Sequence, residues 1–165
     1  MKTVIIYYSL SGNTKKLADF LAAKLTADKT PIEEQNNNTS FFTMLRLIYH
    51  VLLNKPSQIR SLRVKPSQYD LVILGTPVWM MRLSSPMRAF ISQEKRNLKK
   101  VAFFCTEGSS GGKAVFEIMS KLCDKQPIAT LEMTQTDMME LEKNQKLVDF
   151  IDVCRRQPEN VEAES

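Results

Sequence analysis

Residues 4–21 read V-I-I-Y-Y-S-L-S-G-N-T-K-K-L-A-D-F-L, and the order of residue types in this stretch decides the fold. The apolar run Val4-Ile5-Ile6-Tyr7 predicts a buried strand, and Leu17, Ala18, Phe20 and Leu21 recur at helical spacing. Between them lies a hydroxyl-rich turn that opens the helix. A strand, such a turn and a helix N-terminus make a phosphate cradle. Hydroxyls of Ser9, Ser11 and Thr14, with backbone N–H groups freed at Gly12 and Asn13, would wrap a dianion at the positive end of the helix dipole. The segment lacks the Lys-Ser/Thr ending of a nucleotide-hydrolysing P-loop and the G-x-G-x-x-G of a dinucleotide site. What remains is a site for a phosphate monoester that needs no lysine or metal ion. An ordinary capped turn uses the same residue types, but three hydroxyls and an amide within six positions exceed what one cap requires.

Working outward, strand-like apolar runs recur at 3–8, 71–75, 101–105 and 128–132. Helical patterns separate them, near 13–26, 85–93, 112–123 and 140–155. That alternation predicts a parallel sheet with helical crossovers. Residues 31–35 are short and polar and suit an edge strand. The expected fold is a three-layer, doubly wound α/β domain with a five-stranded parallel sheet in the order 2-1-3-4-5. Its ligand belongs at the carboxyl ends of the first and third strands. Only residues 133–139 separate the fifth strand from the last helix, too few for an inserted lobe. Residues 1–156 form the domain, and 157–165 read as a frayed acidic tail.

The composition agrees with one globular domain: 165 residues, 43% hydrophobic and 25% charged, are enough to bury a full core. The chain opens on a strand and carries no apolar leader or membrane-length run, which predicts a cytoplasmic location. Cys105, Cys123 and Cys154 are widely spaced, without a C-x-x-C pair, and read as reduced thiols. The net charge is +5, but the basic residues are dispersed and lack interleaved aromatics, so a diffuse basic surface is a better reading than a nucleic-acid site. Residues 36–68 contain a nearly all-round apolar helix at 41–53, too short to span a bilayer. A buried crossover, a homodimer patch or a lid would each account for it. The only histidine, His50, lies there and reads as structural, which leaves no Ser-His-acid triad.

Ser9-Leu10-Ser11-Gly12-Asn13-Thr14 fits at every defined position the Ser/Thr-x-Ser/Thr-Gly-x-Thr phosphate loop of the flavodoxin family, and over roughly 1–155 the chain resembles the short form of that family. The resemblance implies non-covalently bound FMN with its phosphate in this loop. Residues 75–86, G-T-P-V-W-M-M-R-L-S-S-P, are similar to the second flavin loop of a bacterial flavodoxin-like subgroup. Trp79, the single tryptophan, would stack on the ring, and Thr76, Pro77 and Val78 would supply backbone contacts. The third loop, 106–113, reads T-E-G-S-S-G-G-K. By the same resemblance Thr106, Glu107, Gly108 and Gly111 would meet the pyrimidine edge.

Electron-carrier flavodoxins often place an aromatic in the third loop, and none stands there in this chain. The second face of the ring is then open, or covered by Tyr49 or another group of the apolar helix. Arg82 and Lys113 are the cations best placed to stabilise reduced flavin electrostatically. The leading functional expectation is electron transfer through bound FMN. The alternative is an NAD(P)H-dependent FMN or quinone reductase, and a third class is a flavin-free interaction domain on the same fold. Family carriers are commonly acidic whereas this chain is basic, so a redox partner would present an acidic docking face.

Overall fold

The computed structural model describes residues 1–35, 57–108 and 110–156. Along the chain run β1 (Thr3–Tyr7), α1 (Asn13–Leu25), β2 (Asp28–Pro31), β3 (Leu71–Trp79), β4 (Arg82–Leu83), α2 (Ser85–Glu94), β5 (Lys100–Glu107), α3 (Gly112–Cys123), β6 (Thr130–Thr134) and α4 (Gln145–Arg155). The sheet order is β2-β1-β3-β5-β6, every pair on that path parallel, and β4 folds back antiparallel on the end of β3. Counting the five parallel strands alone, this is the expected 2-1-3-4-5 order. The order reverses beside β1, so the crevice at the carboxyl ends of β1 and β3 is the topological switch point.

Strand alternation divides the core in two. Val4, Ile6, Val72, Leu74 and Phe103 point to one face, where Met87 and Phe90 of α2 and Val115 and Met119 of α3 cover them. Ile5, Tyr7, Leu71, Ile73 and Phe104 point to the other, beneath Leu17 and Leu21 of α1 and Phe150 and Ile151 of α4. The central strands are therefore apolar at successive positions, as burial on both faces requires. Among the described residues no helix is long and apolar enough to cross a membrane.

Several boundaries differ from the sequence reading, among them the fifth parallel strand, which is Thr130–Thr134 rather than 128–132. The edge strand is Asp28–Pro31, not 31–35. Thr26 takes a left-handed conformation (φ 50°) that ends α1, and the chain enters the sheet at once, with Asp28 beside Val4. Glu34, beyond the strand, makes only an isolated bridge to Ile59. β3 continues past Gly75 to Trp79, so the segment read as a loop is strand and hairpin. Finally, α4 starts at Gln145 rather than at 140, because the Asn144 side chain caps it by accepting from Leu147 N–H and two short 3₁₀ turns precede it. The apolar segment 41–53, with His50 and Tyr49, and the tail 157–165 lie outside the described residues.

Candidate functional site

The first loop leaves β1 at Tyr7 and enters α1 at Asn13. Gly12 is the N-cap, with φ 95°, a left-handed conformation that costs a residue bearing a Cβ about 1–2 kcal/mol. Nothing lies within 4 Å of the position a Cβ would take there. Ser9 Oγ accepts from Gly12 N–H and from Lys15 N–H, both at 3.2 Å. Two backbone donors thus converge on one oxygen at the positive end of a helix, the donor arrangement a phosphate oxygen requires. Leu10, Ser11, Gly12 and Asn13 are exposed around that point.

Thr14 is placed differently from the other hydroxyls. It is buried, and its Oγ1 lies 2.8 Å from Thr106 Oγ1 at the end of β5. Two hydroxyls carry two hydrogens and share one between them, so the pair retains one O–H to donate elsewhere. The bond also ties the first loop to the third across the sheet.

The second segment is a hairpin. Thr76 is buried, donates to Pro77 O at 3.1 Å, and pairs with Ser84 Oγ at 2.8 Å. Thr76 has one hydrogen, so donation to Pro77 makes Ser84 the donor to Thr76. Val78 faces Leu83, and Trp79 faces Arg82 across the two-residue turn Met80-Met81. Both turn residues are left-handed, with φ of 49° and 60°. That is the backbone a two-residue hairpin demands, and it normally selects Asn-Gly. Trp79 is half-buried and meets the Tyr8 ring edge-on, with centroids 5.8 Å apart and planes at 84°. Burial, followed by the charge of Arg82, pulls the Arg88 guanidinium of α2 below its ordinary range.

The third loop is pinned at both ends. Thr106 bonds Thr14, and Glu107 Oε2 accepts from Gly112 N–H at 2.8 Å, filling the first orphan donor of α3. Gly111 is the N-cap of α3, with φ 119°. Gly108 is exposed, and a Cβ there would meet nothing within 4 Å. Lys113 is exposed on the first turn of α3. Cys105 is buried, its thiol pushed well above the usual range by desolvation and then by Glu107 and Glu132. That keeps it a protonated core residue. Cys123 and Cys154 are likewise free and buried, each pushed up to about 12 by burial.

All three loops therefore leave the same end of the sheet, and the structure brings the expected residues of the first and third into hydrogen-bond contact through Thr14 and Thr106. Met80, Met81 and Ser84 were not singled out from the sequence, although they shape the second loop. A separate groove of about 710 Å³ runs between α3 and edge strand β6, past Lys113, Phe116, Lys121 and Glu132. None of its lining residues belongs to the first or second loop. The strand ends carry the argument for a site, because convergent donors and the switch point coincide there.

Residues 1–133 match the family described as NADPH-dependent FMN reductase. The chain belongs to that family. Among proteins with curated function, no sequence matches it. The chain is similar to a flavoprotein from Lactobacillus acidophilus NCFM solved in complex with FMN, at 25% identity and a TM-score of 0.70, over 86% of this chain and 97% of that one. It is similar in fold to two-electron reduced flavodoxin from Megasphaera elsdenii, at 16% identity and a TM-score of 0.61, over 94% of this chain and 99% of that one. Oxidised Flavodoxin 2 from Bacillus cereus is also similar in fold, at 20% identity and a TM-score of 0.55, over 93% of this chain and 97% of that one. The domain is flavodoxin-like.

Proposed function

We propose that this protein binds FMN non-covalently across the three loops and transfers electrons through it. Membership of the FMN reductase family makes it an FMN-binding redox protein, and the flavin, when bound, supplies one- and two-electron chemistry that no side chain offers. The observation that carries the reading is the convergence of Gly12 N–H and Lys15 N–H on a single oxygen position at the start of α1. The phosphate group would be held by Ser9, Leu10, Ser11, Gly12, Asn13 and Thr14. Thr76, Pro77, Val78 and Trp79 would carry the ring, and Thr106, Glu107, Gly108 and Gly111 its pyrimidine edge.

A second reading is supported by two observations. The family is one of NADPH-dependent reductases, and the third loop bears no aromatic to cover the far face of the ring. In this reading that open face would receive a nicotinamide donor and then an acceptor. Arg82, which faces Trp79 across the hairpin, favours anionic visitors in both readings, whether a donor bearing phosphates or a redox partner with an acidic face. We assign residues 1–156 to one flavin domain in the cytoplasm.

The test is a fluorescence titration of refolded apoprotein with FMN, with riboflavin alongside. Tight FMN binding and much weaker riboflavin binding supports the phosphate loop; no binding of either refutes the proposal. Steady-state NADPH oxidation by the holoprotein then separates carrier from reductase.

A further inference from the structure

The second and third loops meet backbone to backbone. A Cβ on Gly111 would stand 2.9 Å from Met81 Cα, 3.0 Å from Val78 Cγ1 and 3.3 Å from Met81 Cβ. These neighbours belong to the β3–β4 hairpin, whose turn residues Met80 and Met81 are both left-handed. Such backbone is unfavourable for a residue with a Cβ and persists where the surroundings over-determine it. The methionine side chains are 68% and 59% exposed and pack too little to hold it. The hold must come from the backbone: the Val78–Leu83 and Trp79–Arg82 pairs on one side, the bare face of Gly111 on the other. Gly111 is itself fixed, because the next residue's N–H is bonded by Glu107 and its own carbonyl accepts from Val115 N–H.

We infer that Met81 and Gly111 form a backbone lock that joins the second and third loops into one unit and sets the position of Trp79. Met81 is a positioning residue. Trp79 is the last strand residue before the turn, so displacement of Met81 moves the aromatic platform. The third-loop backbone and the platform therefore shift together. The consequence for flavin binding rests on the function proposed above, whereas the lock itself is read in the apoprotein.

Trp79 is the only tryptophan, so intrinsic emission and acrylamide quenching report its surroundings directly. Gly111→Ala in the apoprotein is expected to shift that emission and increase quenching. It should also weaken FMN and riboflavin by the same factor, about tenfold, since coupled contacts rather than the phosphate loop are disturbed. Alanine at φ 119° is strained whatever its neighbours, so Met81→Gly supplies the discriminating arm. With glycine at 81 the turn can yield, and Gly111→Ala in that background should have a much smaller effect on both readouts. An equal factor in the two backgrounds, or unchanged Trp79 emission in Gly111→Ala, overturns the lock. If Gly111→Ala fails to fold, Met81→Val decides: a β-branched residue fits the left-handed turn poorly, so it should displace the hairpin and shift both the emission and the quenching of Trp79, and unchanged emission and quenching refute the inference. A wild-type protein that binds neither FMN nor riboflavin would sink the flavin reading and leave the emission test of the lock intact.

Discussion

Gly12 and Gly111 hold the same position in two helices, each an N-cap with positive φ, and differ in what stands beside them. Gly12 looks onto open space, and Gly111 lies against the backbone of Met81. Both carbonyls accept the first intrahelical bond, from Lys16 N–H at 2.9 Å and Val115 N–H at 3.1 Å. The backbone demand is the same, yet one glycine keeps room for a ligand and the other lets two loops touch. A glycine in a phosphate-loop pattern is thus not one kind of residue. Its neighbours decide whether a substitution strikes binding, packing or both.

Gly75 gives the packing extreme of that comparison, since a Cβ there would overlap the ring of Phe104. Gly75→Ala should destabilise the fold by about 3 kcal/mol, the cost of overpacking a core with no flexible neighbour to yield. Denaturant midpoints check it. A cost below about 1 kcal/mol would mean that Phe104 swings aside, and the tight approach at Gly111 would then lose its force as evidence of a lock.

Thr14→Val tests the bond that joins the first loop to the third. It leaves Thr106 Oγ1 buried without its partner, which should cost about 1–3 kcal/mol, and Thr14→Ser should recover most of it. FMN affinity should fall with stability. Stability loss without affinity loss would make the pair purely structural.

Gly12→Ala isolates the open-space case. With no clash, the cost should be only the left-handed backbone, about 1–2 kcal/mol. FMN affinity should drop while riboflavin affinity holds if the loop at Gly12 holds the phosphate as proposed. Parallel losses for both ligands would place Gly12 with Gly111 and erase the distinction.

The strand, glycine turn and helix start at residues 3–25 were legible because they are local: the hydroxyls and the glycine of the turn stand within six positions, between an apolar strand and a helical repeat. The sheet order followed from the same alternation. The hairpin was hidden. Thr76 and Pro77 read as loop residues, yet β3 continues through them, with Pro77 beside Thr106 in a parallel pair. Met-Met is also not a sequence that announces a two-residue turn with positive φ at both positions. β2 carries no apolar pattern, with Thr30 its only buried residue, so the left-handed stop at Thr26 positioned it and hydropathy did not. The Thr14–Thr106 bond spans 92 positions, and nothing in either local sequence names the other.

The smallest effect is expected at the helix that contrasts most with α1 and α3. α4 also starts at the carboxyl end of the sheet, but its N-terminus is filled by its own neighbourhood. Asn144 Oδ1 accepts from Leu147 N–H, and Asp137 accepts from Thr134 N–H, Thr134 Oγ1–H and Asn144 Nδ2–H. The Thr134 N–H bond, followed by the other donors, holds the Asp137 carboxyl below its ordinary range against a desolvation that pushes it up. A depressed folded value means that Asp137 contributes stability fully above the unfolded carboxyl value of about 3.9, and that this contribution is lost as pH falls through the lower folded value. Asp137→Asn should therefore be less stable than wild type at pH 7, by less than any substitution above. The gap should close on acidification below about pH 4, and FMN affinity at neutral pH should stay unchanged. Denaturant midpoints across that range, with one FMN titration at pH 7, check all three. A gap independent of pH would show that the carboxylate charge is not what orders this turn, and a fall in FMN affinity would mean that side-chain-capped and glycine-capped helix starts serve the same site.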